Sequence, residues 1–199
     1  MKNLVVLING KKRNGKDHSA NLLKDELEQR GYKVQIMSFA EPIKVIVASM
    51  LGISVEDLET YKNDYTEYGL EMKAYPDNQR PVLFGEINFR EILQRFGTEA
   101  MKPVFGDDVW AALLYKKAKE SDADFVLVPD FRFNIEYNEK ATTINVFNKD
   151  IVSTDTHASE TELDDFKFDW YIDNTGKPDL TTAIKQTAEY IISKRWRTK

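Results

Sequence analysis

The passage that most constrains this chain is its opening, where the continuous apolar run Leu4-Val5-Val6-Leu7-Ile8 leads into Gly10-Lys11-Lys12-Arg13-Asn14-Gly15-Lys16-Asp17. A β-branched run with no polar alternation predicts a strand buried on both faces of a parallel sheet. Glycines after such a strand let the backbone curl until successive N–H groups point at one anion, and the dipole of the helix that follows adds positive potential there. Lys16 is then within reach of the terminal phosphates of a nucleotide. With glycine and lysine each near 7% of residues, G-x4-G-K arises by chance in roughly one chain in fifteen of this length. The buried strand before it and a helix after it make the signal far more specific.

Ala20, Leu22, Leu23 and Leu27 recur at helical spacing after the loop, with Gly31 placed to end the helix. Strands are expected at Val34–Phe39, Phe125–Val128, Thr142–Phe147 and Trp170–Ile172. Helices are expected at Pro42–Leu51, Asn88–Lys102, Asp108–Glu120 and Leu180–Ser193, the last capped by Asp179. This alternation predicts an α/β fold with a mostly parallel sheet and helices on both faces. A length of 199 residues suits a single domain, with an irregular insertion at about 54–85 rich in Tyr, Asn, Asp and Pro. The basic end, Lys194–Lys199, reads as a solvated tail.

Composition narrows the function. A net charge of −5 argues against a protein that coats nucleic acid, although a small basic pocket for phosphates needs only a few cations. The absence of cysteine excludes disulfides, zinc–thiolate sites and thiol catalysis. The apolar run at the start is too short to span a membrane and no small-residue cleavage site follows it, so a soluble cytoplasmic protein is expected.

Phosphoryl transfer needs positioning and charge neutralisation rather than covalent chemistry from the protein. The loop residues Gly10, Lys12, Arg13, Asn14, Gly15, Lys16 and Asp17, with the adjoining His18, are expected to surround the phosphates of ATP. Lys16 would follow the migrating phosphoryl group. Arg13 would stabilise its charge or stand as a surface arginine. Asp17 occupies the place where Ser or Thr usually supplies a hydroxyl to Mg²⁺; a carboxylate is a hard oxygen ligand for that ion and is equally at home capping a helix. Asp130 and Arg132 follow a buried strand, at the end where ligands gather in open α/β sheets. Asp130 reads as a catalytic residue that orients the acceptor phosphate or binds Mg²⁺ through water, and Arg132 as an acceptor or transition-state arginine; otherwise the two form a mutual ion pair fixing the loop. Arg90 and Gln94, four apart on an expected helix, share a face that either holds a monophosphate or is simply polar. Trp110 and Phe96 stack on a base or belong to the core, and His157 and Glu160 belong to a lid or to a structural hydrogen-bond pair.

The loop resembles the G-x-x-R-x-G-K-D loop of the deoxynucleoside monophosphate kinases of tailed bacteriophages, and five further passages extend the likeness in order. Ala40-Glu41-Pro42-Ile43-Lys44 is similar to that family's small-x-Pro-Ile/Leu-Lys segment. Arg90-Glu91-Ile92-Leu93-Gln94-Arg95-Phe96-Gly97-Thr98-Glu99 resembles its R-x-x-x-Q-x-x-G-T-[DE] stretch, and Asp108-Val109-Trp110 its D-x-W. Asp130-Phe131-Arg132-Phe133-Asn134-Ile135-Glu136 resembles D-x-R-x-x-x-E, and His157-Ala158-Ser159-Glu160 resembles H-x-[ST]-E. The arginine that family often carries after the strand ending near Phe147 is replaced here by Asn148, with Lys149 following.

This resemblance implies a P-loop NTPase fold of three α/β/α layers, like the nucleoside monophosphate kinases. It further implies transfer of the γ-phosphoryl group of ATP, with Mg²⁺, to a deoxynucleoside 5′-monophosphate. Lys44, Arg90, Gln94, Asp130 and Arg132 would hold the acceptor. A homodimer in the cytoplasm (the host's, for a phage protein) that binds neither nucleic-acid polymer nor membrane is implied as well. Animal-type phosphomevalonate kinases share the G-x-x-x-x-G-K-D loop, the D-x-R strand end and a passage like Phe168-Asp169-Trp170-Tyr171-Ile172. A nucleotide-binding protein without transfer activity is the third reading.

Overall fold

The computed structural model describes residues 3–61, 89–151, 158–176 and 180–197, which fall into two compact units. The first comprises residues up to Phe39 together with those from Trp110 onward; the second comprises Ala40–Val109.

Five strands build the first unit: β1 (Leu4–Asn9), β2 (Val34–Ile36), β3 (Phe125–Val128), β4 (Thr142–Phe147) and β5 (Trp170–Asp173). All pairings are parallel, in the order β2-β3-β1-β4-β5. Because β1 lies at the centre, its side chains must be apolar in both directions, as the uninterrupted run predicts. Leu4, Val6 and Ile8 pack with Ala20, Leu23 and Leu27 of α1 (Lys16–Gln29), and with Ile184, Ala188 and Ile191 of the helix Leu180–Arg197. Val5 and Leu7 face the other way, toward Ala111, Leu114 and Ala118 of the helix Val109–Glu120. The sheet is therefore covered by helices on both faces. Trp110 is buried, which answers its two readings in favour of the core.

β2 stops three residues earlier than the apolar pattern predicts. Met37 N–H still bonds the Leu127 carbonyl at 2.9 Å, but Ser38 and Phe39 turn instead to the side chain of Asp130. The basic end is not a free tail. The last helix continues to Arg197, and Arg195 pairs with Asp124 while its guanidinium covers the rings of Tyr32 and Phe125.

In the second unit, α2 (Glu41–Leu51) and α3 (Val55–Tyr61) bury Val47, Ala48 and Leu58 with Phe89. The helix expected over Asn88–Lys102 divides into α4 (Phe89–Gln94) and a π-helical turn over Arg95–Ala100, before α5 (Lys102–Phe105). Within the π-helical turn Gly97 is buried against Ile43 of α2, where a Cβ would lie 2.8 Å from the Ile43 Cδ1 and that side chain would have to shift. Apart from α3, most of the expected insertion at 54–85 lies outside the described residues, as do Asp179 and His157.

Candidate active site

The carboxyl end of β1 opens into the loop at the place where the chain's connections diverge: from β1 it crosses toward β2, while β4 and β5 lie on the other side. Crevices at such switch points are where open α/β sheets hold ligands. Two residues of the loop have left-handed backbone, Arg13 at φ 71° and Gly15 at φ 85°. Alternation of this kind turns consecutive N–H groups toward a common centre. The first helical hydrogen bond of α1 is made by Ser19 N–H to the Gly15 carbonyl, at 2.8 Å. The N–H groups of Lys16, Asp17 and His18 precede it, and Gly15 supplies no side-chain cap.

Neighbouring strand ends hold the loop tightly. A Cβ on Gly10 would lie 2.8 Å from the Val146 carbonyl oxygen, and one on Gly15 would lie 2.4 Å from Asn174 Nδ2. The Asn174 amide donates to the Asn14 carbonyl at 2.9 Å, and Asn14 Nδ2 faces the Val146 carbonyl at 3.4 Å. Asn14 is 7% exposed and its Oδ1 is buried without a hydrogen-bond partner. Lys16 has a side chain only 12% exposed, with its ammonium 3.6 Å from the carboxylate of Asp17, which is 74% exposed. Lys12 and Arg13 are exposed, and so is His18.

Asp130 and Arg132 follow β3, as expected, and each has a separate partner. Asp130 accepts the Ser38 hydroxyl at 2.6 Å and the Phe39 N–H at 3.1 Å, tying the end of β3 to the segment after β2. The guanidinium of Arg132 donates to Glu160 at 2.5 Å, and a second oxygen of Glu160 accepts the Lys12 N–H at 2.8 Å. Glu136 is buried and accepts the backbone N–H groups of Arg132 and Phe133 at 2.7 and 3.0 Å. Tyr115 donates its hydroxyl to the Glu136 carbonyl at 2.8 Å, and burial, with Glu136 beside it, pushes the phenol far above its ordinary range. Asn9, Gly10, Lys11, Arg132, Glu160 and Asp164 line a polar cleft beside the loop.

Lys44, Arg90 and Gln94 belong to the second unit. Lys44 pairs with Glu59 at 2.8 Å, while Arg90 and Gln94 are both exposed on α4. Reading the sequence left Glu136, Glu160, Ser38 and Asn174 without assigned roles. Glu136 and Glu160 stand in passages already singled out, and Asn174 follows β5 at the ligand-gathering end of the sheet, which was the available signal.

The chemistry this arrangement offers is anion binding: amides at a helix start, one largely buried lysine side chain, and an arginine fixed by Glu160, which also takes a loop N–H. Among the described residues no cluster of three or more His, Cys, Asp or Glu side chains is arranged to hold a metal, and no helix is long and apolar enough to cross a membrane. A search of curated proteins found no significant match. Among solved structures, the crystal structure of TT1252 from Thermus thermophilus is 15% identical, covering 96% of this chain and 97% of that one, with a TM-score of 0.48. Residues 53–184, 132 of the 199, match the family described as deoxynucleotide monophosphate kinase. The phosphate loop at 10–17 lies before that span, so the loop geometry and the family match are independent of each other. Together they identify the fold as the P-loop NTPase type, like the nucleoside monophosphate kinases, and the chain belongs to the deoxynucleotide monophosphate kinase family.

Proposed function

We propose that the loop after β1 holds the β- and γ-phosphates of ATP and that the γ-phosphoryl group passes from there to the phosphate of a deoxynucleoside 5′-monophosphate. The observation that carries this reading is the cradle itself: two left-handed residues, a helix start with no side-chain cap, and Lys16 in its first turn with a side chain only 12% exposed. An acceptor phosphate oxygen attacks the γ-phosphorus, and the bond to the β,γ-bridging oxygen breaks with its electron pair leaving on ADP. The products are ADP and the deoxynucleoside diphosphate. Lys16 stays with the phosphoryl group as charge moves onto the leaving oxygen. Arg13 and Arg132 neutralise the equatorial oxygens, and Arg132, held by Glu160, is a cation that acts without reorganising during the reaction.

Mg²⁺ fits the donor set through Asp17, whose exposed carboxylate stands at the start of α1; Mg²⁺ generally takes one or two protein carboxylates and completes its shell with phosphates and water. When bound there it would neutralise phosphate charge. Asp130 accepts the Ser38 hydroxyl and the Phe39 N–H, which ties the loop that carries Arg132 to the segment after β2. In the second unit, Arg90 and Gln94 project from one face of α4 with the forked donor and the amide that suit a phosphate and a base edge. Lys44 adds a cation to the acceptor's surroundings.

The test is ADP formation measured with each common deoxynucleoside monophosphate and with phosphomevalonate. Acceptor-dependent ADP formation with at least one deoxynucleotide, lowered by about 10³-fold or more in Lys16→Ala, is the expected result. Turnover confined to phosphomevalonate, or nucleotide binding with no acceptor consumed, would overturn the proposal.

A further inference from the structure

Glu160 lies on the short helix Ala158–Thr161, and its side chain is only 6% exposed despite its charge. Burying a carboxylate is costly unless hydrogen bonds replace its water. Here the replacements are divided. One oxygen takes the N–H of Lys12 inside the phosphate loop, and the other takes Nη1 of Arg132. Those partners stand 148 and 28 residues away in sequence, so the contact is made by the fold and not by local chain geometry.

Arg132 is thus held at both ends. Glu136 fixes its backbone and Glu160 its guanidinium. A long side chain left loose would lose rotamer freedom each time it met the reacting group. One tied to the loop arrives already placed, and small misplacements of a catalytic group cost large factors in rate.

We propose that Glu160 is a positioning residue for phosphoryl transfer: one buried carboxylate that registers the guanidinium of Arg132 against the phosphate loop at Lys12. The inference rests on the reading that Arg132 meets the transferred group.

A double-mutant cycle on the full chain tests it, with kcat and the KM for ATP measured at saturating deoxynucleotide and folding checked by thermal melting. Arg132→Ala is expected to lower kcat by about 10²-fold or more, and Glu160→Ala by about tenfold or more with the KM for ATP within about threefold. In the Arg132→Ala background, Glu160→Ala should change kcat by less than about twofold, because a residue acting through Arg132 has nothing left to place. Glu160→Gln keeps an acceptor for the Lys12 N–H without the charge that draws the guanidinium, and should show a smaller loss with the same non-additivity. It decides the matter if Glu160→Ala does not fold. An unchanged kcat in the Glu160 variants, or an equal loss in both backgrounds, would show that Glu160 only supports the fold. An unchanged kcat in Arg132→Ala itself would instead remove the underlying reading of Arg132, and this inference with it.

Discussion

Arg13 is the only non-glycine residue with positive φ among those described. A side chain with a Cβ enters that region at a cost of about 1–2 kcal/mol, a strain that persists only where the surroundings enforce it. Glycine would relieve the strain but would add roughly 0.5–1 kcal/mol of unfolded-chain entropy to be lost on folding. Arg13→Gly is therefore expected to melt within about 1 kcal/mol of the parent. Its turnover should fall by about 10²-fold if the guanidinium stabilises transferred charge. Chemical denaturation beside steady-state kinetics separates the two effects, and unchanged turnover would make Arg13 a surface arginine. Asp173 offers a second check at this scale. Hydrogen bonds from the Lys149 ammonium and from the hydroxyl and N–H of Thr175 hold its carboxyl down, from an ordinary 3.8 to about 2. A carboxyl lowered on folding contributes stability that is complete above its unfolded value and lost as pH falls through about 2. Carbon-detected NMR titration should show this low value, and Lys149→Ala should return it toward 3.8.

At the scale of elements, the phosphate loop is positioned by strand ends distant in sequence. Asn174, just past β5, donates to Asn14 across 160 residues and stands where a Cβ on Gly15 would have to go. Gly15→Ala is thus expected to destabilise by about 1–3 kcal/mol, from left-handed strain and a disturbed hydrogen bond, and to weaken ATP binding. Adding Asn174→Ala should cost less than the sum of the two single changes, because the clash and the hydrogen bond share one partner. Urea denaturation of the four proteins checks this, and strict additivity would mean that the two residues do not meet. The same distances explain what the sequence could show. Strands β1 and β3 were legible because burial on both faces leaves an uninterrupted apolar run; β4 mixes Thr142, Thr143 and Asn145 with its apolar residues and was legible from its β-branched content. The end of β2 was not, because Asp130 competes for the Phe39 N–H from 91 residues away. The loop was legible as a local pattern. Glu160 was not, because its role depends on Lys12 and Arg132 being brought to it by the fold.

For the molecule as a whole, the described residues divide the expected machinery between two units. The phosphate loop, Asp130 and Arg132 belong to the sheet unit; Lys44, Arg90 and Gln94 belong to the unit spanning Ala40–Val109. Of the residues expected to hold the acceptor, Lys44, Arg90 and Gln94 lie in a different unit from the phosphate loop, so variants at these three and variants of the loop should differ in which substrate they affect. Arg90→Ala is expected to raise the KM for the deoxynucleotide about tenfold or more, on the scale of one charge-assisted contact, while leaving the KM for ATP near its parent value. A shift in the KM for ATP alone would reverse the assignment. The central claim is that this loop delivers a phosphoryl group and does not merely bind a nucleotide. The most direct measurement uses ATP carrying ³²P at the γ-position, incubated with a deoxynucleoside monophosphate and separated by thin-layer chromatography. Label is expected in the deoxynucleoside diphosphate, matched one for one by ADP and abolished in Lys16→Ala. Label appearing only as inorganic phosphate, or remaining wholly in ATP with every acceptor, would contradict that claim.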